Sequence, residues 1–145
     1  MKSIGQEYYA LMGALAATVG SLIAEGLGLR ADYFKDYFTD EIAHCRLIHY
    51  LPPSSPETPP VGAGEHTDWG LITLLLQDDV GGLQVQDRES KMWIDVPPTK
   101  GAYVVNVGDL LSRFTNDVYV SARHRVVAPP QGTHRYSVPY FSDGK

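Results

Sequence analysis

Gly64-Glu65-His66-Thr67-Asp68-Trp69-Gly70-Leu71-Ile72-Thr73-Leu74-Leu75-Leu76-Gln77 is the stretch that decides how the chain is read. Its second half is a short apolar run closed by Asp78-Asp79, so it reads as a buried strand. Its first half sets an imidazole and a carboxylate two residues apart. In extended backbone at the mouth of that strand, His66 and Asp68 point to one face, because strand side chains alternate with period two. Such a pair can share a metal ion. An isolated His-x-Asp is common by chance, so the pair needs a third ligand from elsewhere.

Immediately upstream, Pro52, Pro53, Pro56, Pro59 and Pro60 predict an irregular loop, since proline lacks a donor and fixes φ. The loop ends at Gly62 and Gly64. Before it, Cys45 to Tyr50 reads as a strand. Further back, Tyr8, Leu11, Met12, Leu15, Val19, Leu22, Ile23 and Leu27 recur at three- and four-residue steps. They predict an amphipathic helix with this stripe inward, ended by Gly26 or Gly28. No N-cap marks its start, so the natural domain is expected to begin upstream of Met1. Ala31 to Phe38 predicts one more helical turn, with Phe34 and Phe38 inward.

Downstream, Leu83 to Gln86 and Trp93 to Val96 predict a hairpin across the polar residues Asp87 to Lys91. Ala102 to Val107, Val118 to Val120, Ala122 to Val127 and Arg135 to Ser142 predict further strands, and Leu110 to Phe114 a short helix or turn. From residue 45 on, about seven or eight short strands and no long helix argue for a β-sandwich or jelly roll. The fold expected is mostly β with an N-terminal helix. Residues 1–40 form a helical support on the sheet, and residues 41–145 form the β domain.

At 145 residues, with 43% hydrophobic and 20% charged content, the chain suits one soluble globular domain. A net charge of −5 and the lack of a basic block argue against nucleic acid. The apolar residues between 11 and 29 are periodic and interrupted by glycines and Glu25, which argues against a membrane span. Cys45 stands alone and no signal peptide is visible, so a cytoplasmic protein without intramolecular disulfides is expected. These residues do not specify an oligomeric state.

Among His44, His49, His124 and His134, His124 is the candidate third ligand. It lies in Ser121-Ala122-Arg123-His124-Arg125-Val126-Val127, where a jelly roll can return an antiparallel strand opposite the first. Two histidines and a carboxylate with one side open form the facial triad that holds non-haem Fe(II). With no cysteine ligands, a structural zinc site is disfavoured. The other three histidines read as structural or solvent-facing, and Asp78-Asp79 as a turn. Arg135 and Ser137 share a strand face, and together can hold a carboxylate through a guanidinium fork and a hydroxyl. The alternatives are an ion pair of Arg135 with Asp109 or Asp117 and an ordinary strand hydroxyl. Arg113, Arg123, Arg125 and Arg135 face a single acid, Asp117, within residues 113 to 135, which suggests a cationic strand pair suited to a dicarboxylate. Trp69, Phe114 and Phe141 suit pocket lining or core packing equally.

With these residues in place, the chain resembles the catalytic domain of the 2-oxoglutarate and Fe(II)-dependent dioxygenases, nearest their isopenicillin N synthase-like branch. The resemblance is carried by Gly64 to Gly70, Leu74 to Val85, Val105 to Asp109, Ser121 to Val127 and Arg135 to Pro139, in the family's order. It implies a double-stranded β-helix of the jelly-roll, cupin-like kind. It implies that His66, Asp68 and His124 bind iron, that Arg135 and Ser137 anchor the distal carboxylate of 2-oxoglutarate, and that Tyr50 assists them. Ile48 stands where plant members carry an asparagine. The implied activity is hydroxylation or desaturation of a small organic molecule by O2, with 2-oxoglutarate converted to succinate and CO2 and ascorbate as a reductant. Relatives carry a further N-terminal region and a longer C-terminus. The resemblance therefore leaves two alternatives: a shortened module that binds metal and 2-oxoglutarate without turnover, and a relative that uses Fe(II) and O2 alone.

Overall fold

A computed structural model describes residues 2–55 and 61–145, so Pro56, Pro59 and Pro60 of the proline loop lie outside the described residues. The chain opens with α1 (Lys2–Gly26). This helix ends as its glycines predict. Gly28 takes φ +72°, the amide of Leu29 bonds the carbonyl of Ala24, and that of Gly28 bonds Glu25. These are the two bonds of a Schellman cap. The buried face of α1 follows the predicted stripe in part: Met12 and Ile23 are buried, and Tyr8, Leu15, Val19 and Leu27 pack half-buried against the core. It runs through Met12, Ala16, Gly20, Ile23 and Ala24, while Leu11 and Leu22 are exposed. Small residues let the helix axis lie close to its neighbours, and the large stripe residues flank that contact. By length and composition alone α1 could cross a membrane; its packing on the β-sheet accounts for the face it buries. The turn after it is a 3₁₀ segment, Lys35–Tyr37, beside the buried Phe34 and the half-buried Phe38.

The strands form two antiparallel sheets. The larger contains β1 (Ile42–Cys45), β2 (Ile48–Tyr50), β4 (Ile72–Gln77), β7 (Val104–Val107) and β9 (Arg135–Gly144), with β1-β9-β4-β7 in order and β2 also beside β9. The smaller contains β3 (Val61–His66), β5 (Leu83–Gln86), β6 (Trp93–Asp95) and β8 (His124–Val127), in the order β3-β8-β5-β6. This is the expected jelly roll with an N-terminal helix. Period two explains why β4 looked wholly apolar. Ile72 and Leu74 turn to the core shared with α1, while Thr73 and Leu75 turn to a cavity between the sheets. Each buried side chain of that core contributes about 2 kcal/mol.

Three expected elements differ. The strand expected from Cys45 to Tyr50 is two strands broken at Arg46 and Leu47. The register places Cys45 opposite Tyr140 and Ile48 opposite Ser137, so the break falls beside Pro139, which has no amide to donate to the ladder. Val118 to Val120 is not a strand: it follows a turn in which Asn116 and Asp117 both have positive φ. His66 does not lie at the mouth of β4. It ends β3 in the smaller sheet, and Asp68 belongs to the crossing from one sheet to the other.

Candidate metal centre and anion pocket

The crossing segment is held by α2 (Asp109–Phe114), whose first turn supplies donors with no partner inside the helix. The amide of Asp109 bonds the Asp68 carbonyl at 2.8 Å, and that of Leu110 bonds the Trp69 carbonyl at 3.1 Å. Thr67 Oγ1 donates to Asp109 Oδ2 at 3.1 Å. Gly108 precedes the helix because nothing larger fits: a Cβ there would lie 2.0 Å from the Gly70 carbonyl oxygen. The side chain of Asp68 is thereby turned inward and buried.

His66 and His124 meet as register partners across β3 and β8, with ring centroids 4.3 Å apart. Asp68 Oδ1 lies 3.7 Å from His66 Nε2 and 3.6 Å from His124 Nε2. The ligand atoms of all three residues fall within 4.8 Å of one another, and among the described residues this is the one cluster of three or more such groups. Each imidazole is oriented from behind. His66 Nδ1 lies 2.8 Å from the Gly64 carbonyl and His124 Nδ1 2.9 Å from the Ala122 carbonyl. A carbonyl only accepts, so Nδ1 carries the proton and Nε2 of the neutral ring keeps a free lone pair toward Asp68. The carboxylate is fixed in the same manner. Its Oδ2 accepts from Thr73 Oγ1 at 2.6 Å and from Asn106 Nδ2 at 2.7 Å, which leaves Oδ1 to face both rings. Two nitrogens and one oxygen converge with no thiolate, a donor set that suits Fe(II).

Thr73 and Asn106 were not singled out in the sequence. A polar residue within each apolar strand was the available signal, and the register sets the two directly opposite.

The cluster borders a cavity of about 520 Å³ whose wall includes Tyr50, Arg135, Ser137 and Phe141. Arg135 has no exposed surface. Its Nη2 donates to Gln77 Oε1 at 2.9 Å, while Nε and Nη1 are buried without a hydrogen-bond partner. Among the described residues no carboxylate pairs with it, so the alternative partners Asp109 and Asp117 do not apply; Asp117 accepts from Ser112 instead. The guanidinium lies 4.7 Å from the Tyr50 ring centroid, across the β2–β9 pair. A buried cation with two unused donors is unfavourable unless a ligand supplies acceptors. With buried Ser137 beside it, the pocket fits a carboxylate, so the residues present suit both Fe(II) and 2-oxoglutarate.

The expected cationic strand pair does not form. Arg123 pairs with Glu65 at 3.0 Å, Arg125 bonds Gln84 and lies over the Trp93 ring, and Arg113 is exposed. None of these three lines the cavity. Trp69 and Phe114 are exposed and also lie outside it, whereas Phe141 lines it. Ile48 faces the cavity opposite Ser137. Of the remaining histidines, His44 pairs with Asp143, and His49 bonds His134 and stacks on Tyr136. Asp78 closes its turn by accepting from the amides of Val80 and Tyr136.

Comparison with known proteins agrees with this geometry. Residues 42–144 match the model of the 2OG-Fe(II) oxygenase superfamily. The 2-oxoglutarate-Fe(II) type oxidoreductase hxnY of Emericella nidulans is 44% identical over 145 residues, a match covering 99% of this chain and 41% of that protein. A full-length Neurospora crassa protein, solved in complex with alpha-KG and thymine, superposes with a TM-score of 0.91 at 41% identity, over 99% of this chain and 46% of that one. JOX2 in complex with 2OG, Fe and JA gives a TM-score of 0.90 at 32% identity, over 99% and 42%. The chain thus spans less than half the length of each of these relatives. A jelly roll enclosing a His-Asp-His cluster, matched across 42–144, makes this chain a member of the 2OG-Fe(II) oxygenase superfamily.

Proposed function

We propose that this chain carries the Fe(II)- and 2-oxoglutarate-binding core of an oxygenase that hydroxylates or desaturates a small organic molecule. In this reading His66, Asp68 and His124 hold the iron, and Arg135 and Ser137 hold the distal carboxylate of 2-oxoglutarate. Tyr50 supports the guanidinium through its ring face. The observation that carries the proposal is the buried, unpaired guanidinium of Arg135 in the same cavity as the His-Asp-His cluster.

Bound Fe(II) and 2-oxoglutarate would together supply the activation of O2, with succinate and CO2 as products. The chain's own groups do the positioning. Gly64 and Ala122 hold the protons of the two imidazoles on Nδ1, so that Nε2 is a lone-pair donor. Thr73 and Asn106 take up one oxygen of Asp68 and leave the other free. Gln77 fixes one arm of Arg135 and turns the others to the ligand. Leu75, Leu83 and Val85 line the cavity with apolar surface, which strengthens the charged contacts within it. The complexes of related proteins with thymine and with JA support a small-molecule substrate.

The test is to load the protein with Fe(II) and 2-oxoglutarate, titrate binding without oxygen, then admit air and measure succinate. Binding of both with succinate formation, lost in His66→Ala, is the expected result. Binding without succinate favours a module that does not turn over. If neither ligand binds the folded protein, the proposal fails.

A further inference from the structure

We propose that His49 and His134 form a second metal site, on the outer face of the larger sheet, that takes a late divalent ion such as Zn(II), Ni(II) or Cu(II). The site is separate from the His-Asp-His cluster and does not rest on the oxygenase reading.

Strand alternation separates this pair from the cavity. Ile48 and Tyr50 line the cavity, so His49 between them points outward. Arg135 begins β9 with its side chain buried against the cavity, and His134 directly precedes it at the exposed surface. A tight turn delivers His134 there: the amide of Thr133 bonds the Pro130 carbonyl at 3.0 Å, and Gly132 takes φ +76°. Across the β2–β9 pair, His49 stands opposite Tyr136. The two rings stack with centroids 4.5 Å apart and planes 12° apart, which fixes the plane of the His49 imidazole. The His134 ring lies beside it, with centroids 4.9 Å apart and planes 33° apart. Two separate elements, β2 and the turn before β9, thus bring two imidazoles edge to edge.

His49 Nε2 and His134 Nδ1 are 2.7 Å apart. In the neutral rings one of these nitrogens donates a proton and the other accepts it. With the protons on the two outer nitrogens instead, both lone pairs aim at one point, and a cation there binds both. Imidazole nitrogens sit about 2.0–2.1 Å from zinc, so a tetrahedral angle sets the pair about 3.3 Å apart, about 0.6 Å more than here. Small χ rotations of two exposed side chains supply that opening. Among the described residues neither ring pairs with a carboxylate, and no third His, Cys, Asp or Glu joins the pair. Asp78 meets Tyr136 through its backbone amide, from the β4 side, and is held there. Water therefore completes the coordination. Two neutral nitrogens and water do not suit Mg(II) or Ca(II), which take oxygen ligands. They suit the ions that imidazole prefers, Cu(II), Ni(II) and Zn(II). A bound ion clips β2 to the entry of β9, the two strands that carry Tyr50 and Arg135 on their other face.

The test is a calorimetric titration of the whole protein with Zn(II) at neutral pH. Two classes of site should appear, a tight one at His66, Asp68 and His124 and a weaker one at His49 and His134. His49→Gln and His134→Gln should each weaken the second class roughly tenfold or more and leave the tight class unchanged, which also shows that the variants fold. His44→Gln, which removes an exposed histidine paired with Asp143, should leave both classes in place. Ni(II) should compete for the second class and excess Mg(II) should not. In ¹H–¹⁵N spectra the ring nitrogens of His49 and His134 should shift together as the second class fills. A single class of site overturns the proposal. So does a second class that survives both glutamine variants, that His44→Gln abolishes, or that Mg(II) displaces. Loss of the tight class alone would count against the His-Asp-His metal centre and leave this proposal standing.

Discussion

Two arginines enter one cavity and are held in opposite ways. Arg135 sits on the long central strand β9 with no exposed surface, one arm on Gln77 and two donors unused. Arg46 sits in a strand break, is exposed, and leans on a ring face. A guanidinium stripped of water without a counter-charge opposes folding, while an exposed one is nearly neutral. The buried end is therefore matched to one ligand of fixed charge and shape. The exposed end can be altered without disturbing the fold.

The sharpest way to break this contrast is to replace each arginine by methionine. Arg135→Met should lower 2-oxoglutarate affinity by about 10²- to 10³-fold, measured by calorimetric titration of the Fe(II) protein. The same change should stabilise the ligand-free protein by about 1–3 kcal/mol in thermal denaturation, because an uncompensated buried charge is removed. Arg46→Met should shift stability by no more than about 0.5 kcal/mol. A destabilised Arg135→Met would mean that the guanidinium supports the fold, and the contrast would collapse.

A second test asks how far the rigid end extends. Asn106→Ala removes one of two donors to Asp68 Oδ2 and leaves all three ligand residues in place. Fe(II) affinity should fall about 10- to 100-fold in an anaerobic metal titration, with the fold intact. No change would show that Thr73 alone suffices to orient the carboxylate.

The sequence carried the identity of the site better than its geometry. His66, Asp68 and His124 do cluster, but period two does not explain how. Their convergence depends on a crossing segment clamped by the first turn of α2, a long-range contact that local pattern cannot reveal. Elsewhere period two is informative. Since His124 faces inward, its neighbours Arg123 and Arg125 had to face outward, against Glu65 and Gln84. Likewise Arg46 shares parity with Tyr50, although the break beside Pro139 interrupts the strand between them. The helix stripe departs from the structure at two residues for a different reason. Hydrophobic size points to Leu11 and Leu22, whereas close packing selected Ala16 and Gly20.

The α2 clamp gives a third test, between the two ends. Gly108 has an ordinary φ of −90°, so its requirement is space: the Gly70 carbonyl occupies the position of a side chain. Gly108→Ala should cost about 1–3 kcal/mol by denaturant titration and loosen the segment that carries Asp68. A neutral outcome would show that the two segments can part without loss.

The smallest effect is expected on the opposite face of β9, where Tyr140 and Ser142 alternate with Phe141. Tyr140 donates to Glu41 at 2.8 Å, and Ser142 donates to the other oxygen of the same carboxylate. Burial raises the Glu41 carboxyl above its usual range, those two bonds lower it in part, and the nearby Asp143 charge raises it. A raised folded-state pKa means that the folded protein holds this proton more tightly than the unfolded chain. The resulting stabilisation is complete below the unfolded value of about 4.3 and is lost as pH rises through the folded value. Above that value Glu41 is charged and half-buried, which disfavours folding. Glu41→Gln keeps an acceptor for Tyr140 and removes the titration. It should therefore gain stability relative to the unaltered chain as pH rises above the unfolded value, by less than about 1 kcal/mol because solvent screens the group. Thermal denaturation as a function of pH reads the difference. Fe(II) and 2-oxoglutarate binding should not move, since Glu41 meets β9 from the α1 side while both arginines meet it from the cavity. A change in either affinity would show that the sheet couples its two faces, and that the exposed end of the cavity is less independent of the core than Arg46 suggests.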